Sequence, residues 1–129
     1  MTLANLLLVA LGGGAGAVLR YLLTLGLGRA PSGGWPWPTF TANLAGGFAM
    51  GLLAGWITLR GVEEGERARL LLGVGLLGGF TTFSAFSLET LMMVERRAWG
   101  QAGLYAALSV LMSTAAVFLG MLLMRRLSA

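Results

Sequence analysis

The spacing of charges constrains this chain more than any other feature. Nine Arg and five Glu are its only charged residues, and they leave four long uncharged windows: residues 1–19, 30–59, 70–88 and 98–124. A helix crossing the hydrocarbon core of a bilayer needs about 20 apolar residues, with ~17–25 the usual range. The windows therefore predict four spanning helices, near residues 4–27, 39–59, 70–94 and 101–124, in one transmembrane domain over residues 1–129. The expected fold class is an all-α, multi-pass protein of the cell (inner or plasma) membrane.

Composition excludes most alternatives. Apolar residues make up 57% of the 129, 21 more are Gly, and charged residues are 11% against a usual ~25%. A soluble domain of this size keeps too much surface exposed to hide so much apolar area. Disorder needs the opposite composition. Cys, His and Asp are absent, so disulfides, thiolate or imidazole metal sites and triad-type catalysis cannot be assembled, and no enzyme is expected. The net charge of +4 does not point to nucleic acid, because most of the Arg residues flank apolar runs rather than forming a basic face.

The connections fit this layout. Residues 29–38 hold Pro31, Pro36 and Pro38 with Gly33 and Gly34, which reads as a loop. Residues 60–69 carry three Glu and three Arg and read as a short polar turn, as do residues 95–100. Trp35, Trp37, Trp56 and Trp99 lie near these edges, where interfacial belts favour Trp. The first apolar run lacks a preceding basic residue and a clear cleavage site, so it reads as a span rather than a signal peptide. An even number of spans puts Arg60, Arg67, Arg69, Arg125 and Arg126 on one side. Arg29, Arg96 and Arg97 fall on the other, joined by Arg20 if it snorkels that way. This is a weak orientation bias, which permits insertion both ways and an antiparallel homodimer.

Small and polar residues inside the spans carry the remaining signal. Gly12, Gly13, Gly14 and Gly16 cluster in the first span, and Gly47, Gly51 and Gly55 recur in steps of four in the second. Such spacing lets helix backbones approach closely, either within one subunit or between two. Thr39 and Asn43 share a helix face, as a cap with an interhelical hydrogen bond or as donors for a ligand. The third span has Gly-Gly-Phe-Thr-Thr (residues 78–82) at its centre. Gly and Thr weaken a helix there, and a break would free carbonyls able to hold a cation. Phe83, Phe86 and Glu89 follow at steps of three. The phenylalanines are core packing or an anion site built from positive ring edges, and Glu89 is a snorkelling side chain or a buried one. Tyr105, Ser109 and Ser113 form a polar stripe on the fourth span, whose hydroxyls bond their own helix or donate to a passing anion.

Three stretches together resemble the Fluc (CrcB-like) fluoride channel family: residues 12–21 (GGGAGAVLRY), 39–46 (TFTANLAG) and 78–89 (GGFTTFSAFSLE). The third is the most specific, and length and span number agree. Pro38 departs from the family, which often has Gly before the Thr; this stiffens the entry to the second span and leaves Thr39 and Asn43 in register. The resemblance implies an antiparallel, dual-topology homodimer with two pores that lets fluoride leave the cytoplasm passively. It implies an ion pathway through Thr39, Asn43, Phe83, Phe86, Glu89, Tyr105, Ser109 and Ser113, with the two phenylalanines of one pore coming from opposite subunits. It also implies one structural Na⁺ at the dimer centre, held by backbone carbonyls at Gly78 and Thr81. The partners so implied are fluoride, the lipid bilayer and a second copy, with no nucleic acid.

Two other readings stay open on the residues alone. Small proton-coupled exporters share four spans and this length, but they use an acid in the first span, and none is present here. A structural or assembly subunit would use its polar stripes for helix contacts only.

Overall fold

The computed structural model describes residues 1–28 and 34–128; Arg29 and Pro31, in the expected loop, lie outside the described residues. Helix α1 covers Leu3–Leu27 and α2 covers Trp37–Ile57. The third run comprises α3 (Val62–Ala68), a π-helical stretch (Arg69–Leu77), α4 (Gly78–Phe80) and α5 (Phe83–Glu95); α6 (Trp99–Leu127) closes the chain. The segments Leu3–Leu27, Trp37–Ile57, Val62–Glu95 and Trp99–Leu127 are each long and apolar enough to cross a membrane. At a rise of 1.5 Å per residue even the 21 residues of α2 extend ~31 Å, about the thickness of the hydrocarbon core.

Local chemistry sets the ends. Thr2 caps α1, its Oγ1 accepting from the Asn5 N–H at 3.2 Å. Pro38 sits in the first turn of α2, not in the loop, at a position whose N–H has no helical partner to lose. Arg125 and Arg126 occupy the last turn of α6, where the helix dipole favours cations.

Two features of the third run differ from the sequence expectation. Residues 62–68 are helical rather than a polar turn. Glu63 and Glu64 stand in the first turn and Arg67 in the last, the arrangement that the dipole favours. Arg69 pairs with Glu66 at 2.8 Å and Arg60 with Glu64 at 3.8 Å, so the mixed charges brace a helix that protrudes from the apolar span. The other difference is the π-helical stretch, which widens the backbone where α1 lies against it.

Glycine decides how closely the helices approach. α1 packs on the third run, and α2 packs mainly on α6. A Cβ on Gly12 would lie 2.8 Å from the Leu76 nitrogen, and one on Gly16 2.8 Å from the Phe80 nitrogen. On α2, a Cβ at Gly47 would stand 2.9 Å from the Ser113 carbonyl oxygen, and one at Gly55 2.9 Å from Met124 Cβ. At Gly51 it would overlap the Val117 carbonyl. The step-of-four glycines thus serve packing inside one subunit, the first of the two readings above, and Gly14 alone of the α1 cluster has open space beside it. Gly51→Ala is therefore expected to destabilise the protein by about 1–3 kcal/mol, the usual cost of overpacking, because backbone on both sides cannot yield. A thermal melt in detergent checks this, and an unchanged midpoint would contradict the backbone contact.

Few side chains are buried, and the main cluster is Phe40, Met93, Ala102 and Tyr105, with Trp35 and Phe86 against them. Large apolar side chains such as Leu7, Leu22, Val110, Leu111 and Phe118 point outward. In a bilayer this outer surface meets lipid rather than water, so it needs no cover.

Candidate functional site

The third run breaks at Thr81 and Thr82, whose backbones are extended (φ −80°, ψ 157° and φ −150°, ψ 122°). Non-helical backbone at membrane depth persists only where protein satisfies it or a cavity adjoins it. Asn43 does most of this. Its Nδ2–H donates to the Thr82 carbonyl at 3.0 Å, and its Oδ1 accepts from the Thr82 N–H at 2.8 Å. Thr82 in turn caps α5, its Oγ1 accepting from the Ala85 N–H at 3.2 Å. Thr81 Oγ1 donates back to the Leu77 carbonyl at 2.9 Å.

The break takes the carbonyls of Gly78, Gly79, Phe80 and Thr81 out of helical pairing, and those of Gly78 and Thr81 show how. In an unbroken helix Gly78 would accept from Thr82 N–H, and Thr81 from Ala85 N–H. Both donors are turned elsewhere, to Asn43 and to Thr82 Oγ1. The Gly79 carbonyl, between them, accepts from Arg20 Nε–H at 3.4 Å. Arg20 therefore reaches across to the break, a contact that no local pattern announced. Among the described residues no group of three or more acidic, His or Cys side chains could hold a metal. The donor set on offer is neutral carbonyl oxygen, which suits a hard monovalent cation.

Beside the break lies an open groove of about 430 Å³ between α2, α5 and α6. Five of the eight residues expected in the ion pathway line it: Asn43, Phe83, Phe86, Ser109 and Ser113. Gly46, Gly47, Met50, Thr81, Thr82, Val110, Thr114 and Val117 complete it, so its lining carries no charged side chain. Thr114 and Met50 were not singled out from the sequence. Thr114 falls outside the step-of-four stripe, and Met50 carries no polar group. Ser109 Oγ is buried without a hydrogen-bond partner, so it does not bond its own helix. Phe83 is 76% exposed, which excludes core packing within the chain, and its ring centre is 5.5 Å from that of Phe86.

The other three expected residues form a separate cluster at the groove's edge. Glu89 accepts from Thr39 Oγ1–H at 2.6 Å and from the Tyr105 hydroxyl at 2.7 Å, one bond to each carboxyl oxygen. Glu89 thus does not snorkel, and Thr39 is no cap. Phe86 links the two parts, its ring 5.2 Å from that of Tyr105. Glu89→Ala would orphan two hydroxyls in residues that are buried in the fold, Thr39 at 7% and Tyr105 at 0% exposure. The expected loss is about 1–3 kcal/mol per orphaned group. The thermal midpoint reads it; an unchanged midpoint would mean that the hydroxyls find other partners.

Comparison with known proteins gives the family. Residues 7–121 match the family described as "CrcB-like protein, Camphor Resistance (CrcB)". The chain belongs to the CrcB-like family. A relative from Caulobacter vibrioides is 55% identical over 125 residues, covering 97% of this chain and 98% of its own length. One from Phenylobacterium zucineum is 59% identical over 124 residues, covering 96% and 98%, and one from Hyphomonas neptunium is 51% identical over 123 residues, covering 95% and 97%. Each of the three is named "Fluoride-specific ion channel FluC". The match takes in most of α1, the broken third run and both clusters of candidate residues.

Proposed function

We propose that this multi-pass membrane protein is a fluoride channel, passing fluoride passively out of the cytoplasm across the inner membrane. The observation that carries this reading is the groove: a file of hydrogen-bond donors and ring edges with no fixed charge. Fluoride is small and tightly hydrated, so a narrow pathway must replace its water. The second N–H of Asn43, the hydroxyls of Ser109 and Ser113 and the edges of Phe83 and Phe86 offer partial positive charge for that. A guanidinium in the groove would hold the ion too firmly, because conduction needs sites weak enough to leave. The names of the relatives supply the identity of the anion.

The working unit we infer is an antiparallel homodimer with two pores. The groove is open along one side, and Phe83 projects from the same surface. A second copy against that surface would close the groove and bring its own Phe83 to the pathway. Thr39, Glu89 and Tyr105 would form the pathway's outer end. Gly78 and Thr81 of both copies would hold one Na⁺ through the carbonyls that the break releases. When bound, that ion would pin the subunits together and place positive potential between the pores.

A growth test addresses the function in cells. Expression in a host lacking its own fluoride exporter should restore growth at inhibitory fluoride concentrations. Failure of well-expressed, membrane-inserted protein to do so would count against fluoride export.

A further inference from the structure

Gly46 lines the groove and is buried, but unlike Gly47 and Gly51 on the same helix its nearest neighbour is a side chain. Gly47 and Gly51 face α6 backbone. A Cβ at Gly46 would instead collide with Thr81 Cγ2, while Phe80 Cδ1 would stand 3.4 Å away and Thr81 Cβ 3.7 Å away. We propose that Gly46 is a positioning residue for the ion pathway: the space left by its missing side chain seats the Thr81 methyl group and so fixes the direction of the Thr81 carbonyl. The inference rests on the channel reading above and extends it to a residue outside the eight assigned to the pathway.

The geometry works through both branches of Thr81. Its hydroxyl is tied to the Leu77 carbonyl at 2.9 Å, and its methyl fills the notch at Gly46. A β-branched side chain held at both branches has one χ1 setting available. The Cα is then fixed, and with it the extended backbone whose ψ of 157° turns the carbonyl out of the helix. Three residues earlier on the same face of α2, Asn43 holds Thr82 through two hydrogen bonds. α2 therefore grips the break twice, by shape at Thr81 and by hydrogen bonding at Thr82. An added methyl at position 46 would push Thr81 away from α2 while Asn43 still held Thr82, twisting the peptide between them.

Because the clash is with one methyl group, removing that methyl relieves it. Thr81→Ser deletes Cγ2 and keeps the hydroxyl on Leu77. The test is a four-protein cycle in fluoride-loaded liposomes: wild type, Gly46→Ala, Thr81→Ser and the double variant, each first checked for a single elution peak. Gly46→Ala alone should slow efflux at least about tenfold, the factor that ~1.4 kcal/mol of misplacement produces. In the Thr81→Ser background the same change should cost less than about twofold in rate. If Gly46→Ala alone fails to fold, recovery of a single peak and of the Thr81→Ser efflux rate in the double variant supports the same contact. Wild-type efflux from Gly46→Ala overturns the proposal, and so does a loss on adding Gly46→Ala to Thr81→Ser as large as the loss it causes in the wild type. If the wild type itself passes no fluoride, the channel reading fails. Thermal midpoints across the same four proteins then still report the contact, through a non-additive recovery in the double variant.

Discussion

Asn43→Ala is expected to abolish fluoride efflux and to lower thermal stability at the same time. Asn43 occupies both the N–H and the C=O of Thr82 at the break, at 2.8 and 3.0 Å. Alanine leaves both without that partner. A buried unpaired polar group costs about 1–3 kcal/mol, and more where hydrocarbon rather than water surrounds it. The same substitution takes from the groove the one side-chain amide in its lining. Structural and conducting roles thus converge on one residue, so the two readouts should fall together. A thermal midpoint in detergent and an efflux trace from liposomes measure them. Normal values of both would remove Asn43 from either role. Lost efflux with an unchanged midpoint would show that the break holds without it.

Phe83→Ile should separate the two roles. Phe83 is 76% exposed on the single chain, so an apolar replacement of similar bulk leaves the fold's own packing intact. Exposed substitutions of this kind usually change stability by less than ~0.5 kcal/mol. What isoleucine lacks is the ring edge, whose C–H groups carry the positive end of the aromatic quadrupole. In a groove without charged side chains, that edge is one of few groups able to face an anion. Efflux should therefore drop by at least about tenfold, equivalent to ~1.4 kcal/mol at one site, while the elution volume of the assembly stays where it was. Unchanged efflux would show that the ring edge takes no part in passage.

Much of this architecture was legible in the sequence because membranes enforce simple rules. Four charge-free windows gave four spanning helices. Gly-Gly-Phe-Thr-Thr located the break, since Gly and Thr weaken a membrane-spanning helix. The groove assembled five residues that were picked out separately as polar or aromatic intrusions into apolar spans. What local pattern could not supply was who meets whom. Glu89 and Thr39 are 50 residues apart, Asn43 and Thr82 39 apart, and Arg20 and Gly79 59 apart. Snorkelling was as good an account of Glu89 until Thr39 and Tyr105 were seen on its carboxylate. The spacing of Gly47, Gly51 and Gly55 announced a close helix contact but not the partner, which proved to be α6 of the same chain. Residues 62–68 misled for a different reason. Mixed charge reads as a turn by composition, yet the order of its signs, acids first and arginine last, suits a helix.

Gly46 illustrates the same limit from the other side. Beside Gly47 it looks like one more small residue for packing. Only the position of the Thr81 methyl distinguishes a notch for a side chain from a seam between backbones.

The most direct test of the account is anion efflux from liposomes holding the purified wild-type protein, with fluoride and chloride run side by side and read by ion-selective electrodes. The account predicts rapid fluoride loss with negligible chloride loss, since hydroxyls, one amide and ring edges in a narrow groove replace the water of a small anion and fit a large one poorly. No fluoride loss from folded, reconstituted protein, or equal loss of both ions, would contradict it.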